Sequence, residues 1–175
     1  RGHVHARRTL KGLVEDLRKT IISICIALFF TFVCACERVE ENYLSENVEY
    51  AAAQYDLLIE KLEKNGKPWA PRTVDTKGNI VYARNVWDWT SGFFAGSLWY
   101  LYNLTGDEKW KTLAKKYTEA LKQQQYITSH HDIGFIIGCS YLNGMRMGQE
   151  AYDTIIVQAA KSLSTRFRSG AGVIQ

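Results

Sequence analysis

The hydrophobic pattern changes character three times along the chain. From Ile21 to Cys36 no residue carries a charge. From Leu44 the apolar residues recur at helical spacing, with Leu44, Val48, Ala51, Ala52, Tyr55, Leu58, Ile59 and Leu62 on one face. Asn65-Gly66 and Pro68 predict the end of that helix: glycine accepts the left-handed turn, and proline cannot continue the hydrogen-bond ladder. Residues 66–86 read as turn-rich and extended, with Pro71 and Lys77-Gly78-Asn79 as turn signals and Ile80-Val81-Tyr82-Ala83 as a short strand. From Trp87 onward the pattern is helical again.

That last part repeats. Trp110, Leu113, Ala114, Tyr117 and Leu121 form one amphipathic stripe, and 42 residues on stand Tyr152, Ile155, Ile156, Ala159 and Leu163. The same offset carries Gly92-Phe93 onto Gly134-Phe135, Gly96 onto Gly138 and Gly106 onto Gly148. Each unit is an apolar helix, a glycine turn and an amphipathic helix, so the pattern predicts stacked helix pairs. The apolar members, Phe93–Leu101 and Ile133–Cys139, are hydrophobic almost all round, which predicts burial on every side. Their partners, 107–124 and 150–167, carry lysine-rich faces. An inner ring of buried helices inside an outer amphipathic ring is an all-α, α/α toroid. Gly92-x-x-x-Gly96 and Gly134-x-x-x-Gly138 predict close approach between inner helices, and Thr105-Gly106-Asp107-Glu108 reads as a capping box opening an outer helix. A closed toroid needs more helices than the five seen here, so the 175 residues are expected to be its N-terminal part only.

Charge sharpens the first stretch. Arg1, Arg7, Arg8, Lys11, Arg18 and Lys19, against Glu15 and Asp16, place the whole net charge of +4 before Glu37. The remainder is balanced, which argues against a nucleic-acid surface. A basic segment, a short apolar run and small residues make the layout of a secretory signal. The run is shorter than the roughly 20 residues of a spanning helix. Its end, Val33-Cys34-Ala35-Cys36, resembles a bacterial lipobox with Cys36 as the lipid-modified residue, although Val stands where Leu is preferred. The expectation is a leader over 1–36, a short linker over 37–43 and a catalytic domain from 44. Export to the periplasm or cell envelope follows, with membrane contact only through the lipid anchor. A buried core helix is the alternative. The chain opens on Arg rather than Met, in keeping with an imperfect start. At 46% hydrophobic and 13% aromatic the composition excludes a disordered chain. With three of four cysteines in the leader, no disulfide framework is expected.

Two loops enter the inner helices at equivalent places in the repeat, 85–93 and 128–135, and both should reach one rim of the cavity. The first carries Trp87, Asp88 and Trp89, the second His130, His131 and Asp132. Aromatic faces beside carboxylates suit a sugar, whose apolar ring face stacks while its hydroxyls bond the acids. Each residue also has a plainer role. Asp132 stands where an aspartate caps a helix, the tryptophans suit a core, and the histidines suit a solvated turn. No third ligand lies nearby to make a metal site, and no cofactor is expected.

Asp88-Trp89-Thr90-Ser91-Gly92-Phe93-Phe94-Ala95-Gly96-Ser97-Leu98-Trp99, Thr105-Gly106-Asp107-Glu108, His130-His131-Asp132-Ile133-Gly134-Phe135 and Gly172-Val173-Ile174-Gln175 resemble, in order and spacing, the N-terminal third of unsaturated glucuronyl hydrolases, glycoside hydrolase family 88. The resemblance spans residues 44–175. It implies an (α/α)6 barrel and an enzyme that removes a 4,5-unsaturated uronic acid from oligosaccharides released by polysaccharide lyases. It implies Asp132 as the first of two catalytic aspartates, the second lying beyond Gln175. Trp89 is then the sugar-stacking tryptophan, and His131 joins Asp132 in holding the substrate. As an N-cap accepting backbone N–H bonds, Asp132 would stay ionised and support charge rather than donate a proton. The alternatives are an unsaturated rhamnogalacturonyl hydrolase of the same fold and a lipid-anchored helical protein that binds carbohydrate without cleaving it.

Overall fold

In the computed structural model the chain divides into two units, residues 1–49 and 50–175. The structure describes the backbone of residues 2–64, 66–83 and 88–174; before residue 43 it describes only the side chains of residues 15 and 17–29.

Helix α1 covers Gly2–Glu63. Residues 37–43, expected as a linker, have helical backbone within it. From Leu17 to Phe29 every side chain of the first unit is exposed, Ile21 and Ile24 each by 53%. Among the described residues no helix is long and apolar enough to cross a membrane. The Cys36 side chain lies outside the described residues, as do Trp87 and Gln175.

In the second unit α1 presents the expected face. Leu62 is buried, and Ala51, Ala52, Tyr55, Leu58 and Ile59 pack at the core margin, whereas Leu44, in the first unit, is exposed. Strands β1, Ala70–Val74, and β2, Ile80–Ala83, follow as an antiparallel hairpin. The Asp75 carboxylate builds its turn, accepting the Lys77 and Asn79 backbone N–H groups at 2.8 Å each. Strand β1 lies in the stretch expected to be turn-rich and extended, and it tolerates Pro71 because both strands of a two-stranded sheet are edges, where a missing N–H costs little.

The repeat then appears as helix pairs. Helix α2, Ser91–Thr105, packs on α3, Glu108–Glu119. The second pair begins with one helical run made of α4, Ile133–Ile137, a π-helical turn over Gly138–Leu142, and α5, Asn143–Arg146; its partner is α6, Asp153–Ser164. Short 3₁₀ turns at Lys122–Tyr126 and Glu150–Tyr152 trim the expected outer helices, and a small hairpin of β3, Phe167–Arg168, and β4, Val173–Ile174, follows. Gly106 adopts φ +69° and closes α2 through its N–H to the Tyr102 carbonyl at 2.8 Å. The capping box takes a different form from the one expected. Asp107 is the N-cap of α3 and accepts the Lys109 N–H, while Thr105 ends α2 and donates to the Leu101 carbonyl. Asp107 has the extended backbone a cap needs, whereas Thr105 is still helical.

The core lies between the pairs. Leu98, Trp99, Ala114 and Ile136 are fully buried, and Trp110 and Tyr141 nearly so; burying a leucine or isoleucine side chain contributes about 1.5–3 kcal/mol. Phe94 meets Tyr117 edge-on at 4.7 Å and stacks on Tyr55 at 5.8 Å. Burial on every side is not what the inner helices show: Phe93, Tyr100 and Phe135 are 37%, 53% and 49% exposed. Helix α2 has α3 on one side and α4 on another, so part of its apolar circumference stays open among the described residues.

Candidate active site

The loops that enter α2 and α4 meet because α2 starts almost on the backbone of α4. A Cβ built on Gly92 would collide with the Ile136 carbonyl oxygen and lie 2.8 Å from that of Phe135; on Gly96 it would lie 2.7 Å from the Cys139 carbonyl oxygen. Only a residue without a side chain permits that approach. The equivalent Gly134 and Gly138 have nothing within 4 Å.

This approach brings Trp89 to the second loop. Its indole lies 5.5 Å from Phe93, edge-on, and 5.8 Å from Phe135, and the two phenyl rings are 6.0 Å apart. Trp89 is 43% exposed, so the aromatic triad offers a face to solvent. Phe93 and Phe135 were not among the residues singled out from the sequence. The 42-residue offset that pairs them was the signal, since equivalent positions in adjacent helix pairs fall side by side.

Asp132 stands at the head of α4 with its carboxylate one-quarter exposed. Its backbone carbonyl accepts the Phe135 and Ile136 N–H groups at 2.9 and 3.1 Å, but its side chain makes no capping bond. The expectation that backbone N–H groups hold this carboxylate is thereby corrected. Its backbone is already helical, φ −67° and ψ −5°, not the extended conformation that turns a cap side chain back on its helix. Histidines flank it instead. His130 Nδ1 lies 3.6 Å from one carboxylate oxygen and His131 Nε2 3.6 Å from the other. Each contact becomes an ion pair when its imidazole carries a proton. His130 is largely buried, whereas His131 is 68% exposed and free to reach a ligand. Among the described residues no three His, Cys, Asp or Glu side chains form a metal-binding group.

Asp88 holds the turn before α2. Its Oδ1 accepts the Thr90 hydroxyl at 2.6 Å and the Thr90 N–H at 3.2 Å, and Arg72 Nε of β1 lies 3.6 Å from Oδ2. The site thus combines a half-open indole, a carboxylate between two imidazoles and a firmly tied turn, an arrangement suited to a sugar ring with an adjacent charge.

The unsaturated glucuronyl hydrolase of Formosa agariphila is 29% identical over 159 residues, covering 85% of this chain and 39% of its own length. The crystal structure of an unsaturated glucuronyl hydrolase specific for heparin aligns at 40% identity with a TM-score of 0.58, covering 61% of this chain and 29% of that one. A structure of a UGL variant with dGlcA-Glc-Rha-Glc aligns at 29% identity and a TM-score of 0.58, covering 66% of this chain and 32% of its own. The chain thus spans well under half the length of these relatives. The structural neighbours are (α/α)6 barrel proteins, and the helix pairs described above correspond to the N-terminal part of such a barrel. The family model that matches, over residues 45–169, is described as glycosyl hydrolase family 76 rather than 88, a different label within the same fold class. The chain therefore belongs to glycosyl hydrolase family 76, and the relatives named for it in sequence and in structure are unsaturated glucuronyl hydrolases.

Proposed function

We propose that the whole protein is a glycoside hydrolase that removes a 4,5-unsaturated uronic acid from lyase-generated, glycosaminoglycan-type oligosaccharides. One observation carries the reading: Trp89 and the Asp132 loop, distant in sequence, share one aromatic rim, with Phe135 touching the indole three residues after the acid. The sugar stacks on Trp89, and His131 and Asp132 bond its polar groups. The reaction is hydration of a vinyl ether, in which C4 takes a proton, water adds at C5, and the hemiketal collapses with loss of the aglycone. Positive charge develops in the ring as C4 is protonated. Asp132, held between two imidazoles, is placed to support that charge. The proton comes from a second aspartate in the part of the barrel beyond Gln175.

The test is an unsaturated glycosaminoglycan disaccharide incubated with the whole protein, followed by ultraviolet absorbance of the double bond. Loss of absorbance with release of the free sugar is the expected result; unchanged absorbance with intact disaccharide overturns the reading.

We also propose that the protein is exported and lipid-anchored at Cys36. The basic, then uncharged, leader with its exposed apolar run supports this. Fatty-acid labelling in a bacterial host should disappear with Cys36→Ser; label that persists rules the anchor out.

A further inference from the structure

We propose that Asp88 is a positioning residue for Trp89, setting the face on which the substrate ring stacks; this rests on the function proposed above. Three observations carry it. First, the Asp88 side chain is only 9% exposed although Trp89 next to it is 43% exposed, so the acid points inward where the indole points out. Second, Asp88 Oδ1 binds both the N–H and the hydroxyl of Thr90, closing a ring of atoms around the Trp89 backbone, and the Asp88 carbonyl accepts the Ser91 N–H at 3.1 Å. The peptides on both sides of Trp89 are fixed by one residue. Third, Thr90 occupies the N-cap position of α2 yet makes no capping bond: its backbone is already helical, φ −80° and ψ −9°, and its hydroxyl donates to Asp88 instead. A threonine there ordinarily caps its helix. Departures of this kind from local preference concentrate where function requires them.

Arg72 completes the arrangement. Its guanidinium lies against the second carboxylate oxygen and ties the turn to strand β1. The indole is thereby held in register with Phe93 and Phe135 before substrate arrives, and preorganised stacking contributes to binding without ordering the loop at that moment.

The experiment compares Asp88→Ala and Asp88→Asn in the whole protein. Asparagine keeps an oxygen that accepts from Thr90; alanine removes it. With unsaturated disaccharide, Asp88→Ala is expected to raise KM on the order of tenfold while kcat changes less than about twofold, and Asp88→Asn to restore most of the loss. Equal KM in wild type and Asp88→Ala, or failure of asparagine to improve on alanine, overturns the proposal. A second measurement does not depend on turnover. The contribution of Trp89 to acrylamide quenching, taken as the difference from Trp89→Phe, should rise in Asp88→Ala and stay near wild type in Asp88→Asn. If the wild type turns over no disaccharide, the functional reading fails on its own account, and quenching decides whether Asp88 positions the indole. An unchanged Trp89 contribution then sinks it.

Discussion

Phe93 and Phe135, 42 residues apart, meet at 6.0 Å between ring centroids with their planes 65° apart. They occupy equivalent positions in successive helix pairs, and the contact between them joins the loop of Trp89 to the loop of Asp132. The repeat and the site are thus one feature: stacking two copies of a helix pair places their entry loops on a common rim.

The closeness of that stacking depends on Gly92. In Gly92→Ala the new methyl meets the Ile136 and Phe135 carbonyl oxygens, both backbone atoms that cannot swing aside. A loss of about 1–3 kcal/mol is expected in urea unfolding of this chain. Gly138→Ala, with open space around it, should cost less than about 0.5 kcal/mol or gain slightly from helix propensity. Equal effects at the two sites would show that the approach of α2 to α4 is not glycine-limited.

Trp99 and Thr118 make a buried hydrogen bond, indole Nε1 donating to the hydroxyl at 3.0 Å, with both residues fully buried. Thr118→Val keeps the shape and strands the indole N–H. It should lower stability by about 1–3 kcal/mol, and Thr118→Ser should recover part of it. Denaturant midpoints of the three proteins provide the comparison.

Alkaline pH should weaken the fold. Burial, with Glu63 nearby, pushes the Tyr117 hydroxyl up to about 12. Burial, with Glu119 nearby, does the same for Tyr141, up to about 12, and moves Tyr152 higher still. The unfolded chain loses these protons near pH 10 and the folded chain later, so the folded state binds more protons in between. Their contribution is complete below about pH 10 and declines as pH rises toward 12. Urea midpoints should fall over that window, less so in Tyr117→Phe. A midpoint independent of pH there would contradict the assignment.

Asp132→Asn in the whole protein should leave the circular dichroism spectrum unchanged, because the side chain makes no helix-capping bond. Turnover of unsaturated disaccharide should drop by at least about 100-fold if the carboxylate supports charge in the transition state. Near-normal activity would remove Asp132 from the mechanism. The 175-residue chain by itself is expected to leave the double bond intact, which the same absorbance assay checks.

The helix pairs, their glycine turns and the two entry loops were legible in the sequence, because hydrophobic period and glycine placement are properties of nearest neighbours along the chain. The repeat also predicted that the two entry loops would reach a common rim. Tertiary structure decided what those side chains touch. The N-cap position of Asp132 was read correctly, but its carboxylate bonds no backbone N–H and lies between His130 and His131. Thr90, a cap by position, gives its hydroxyl to Asp88. Trp89 is neither wholly core nor wholly solvated; it is held by two phenyl rings from different helices. A sequence constrains backbone direction locally, whereas the partner of a side chain depends on which distant backbone approaches it. Here that approach is set by the bare glycines of α2 against the carbonyls of the helical run that begins with α4.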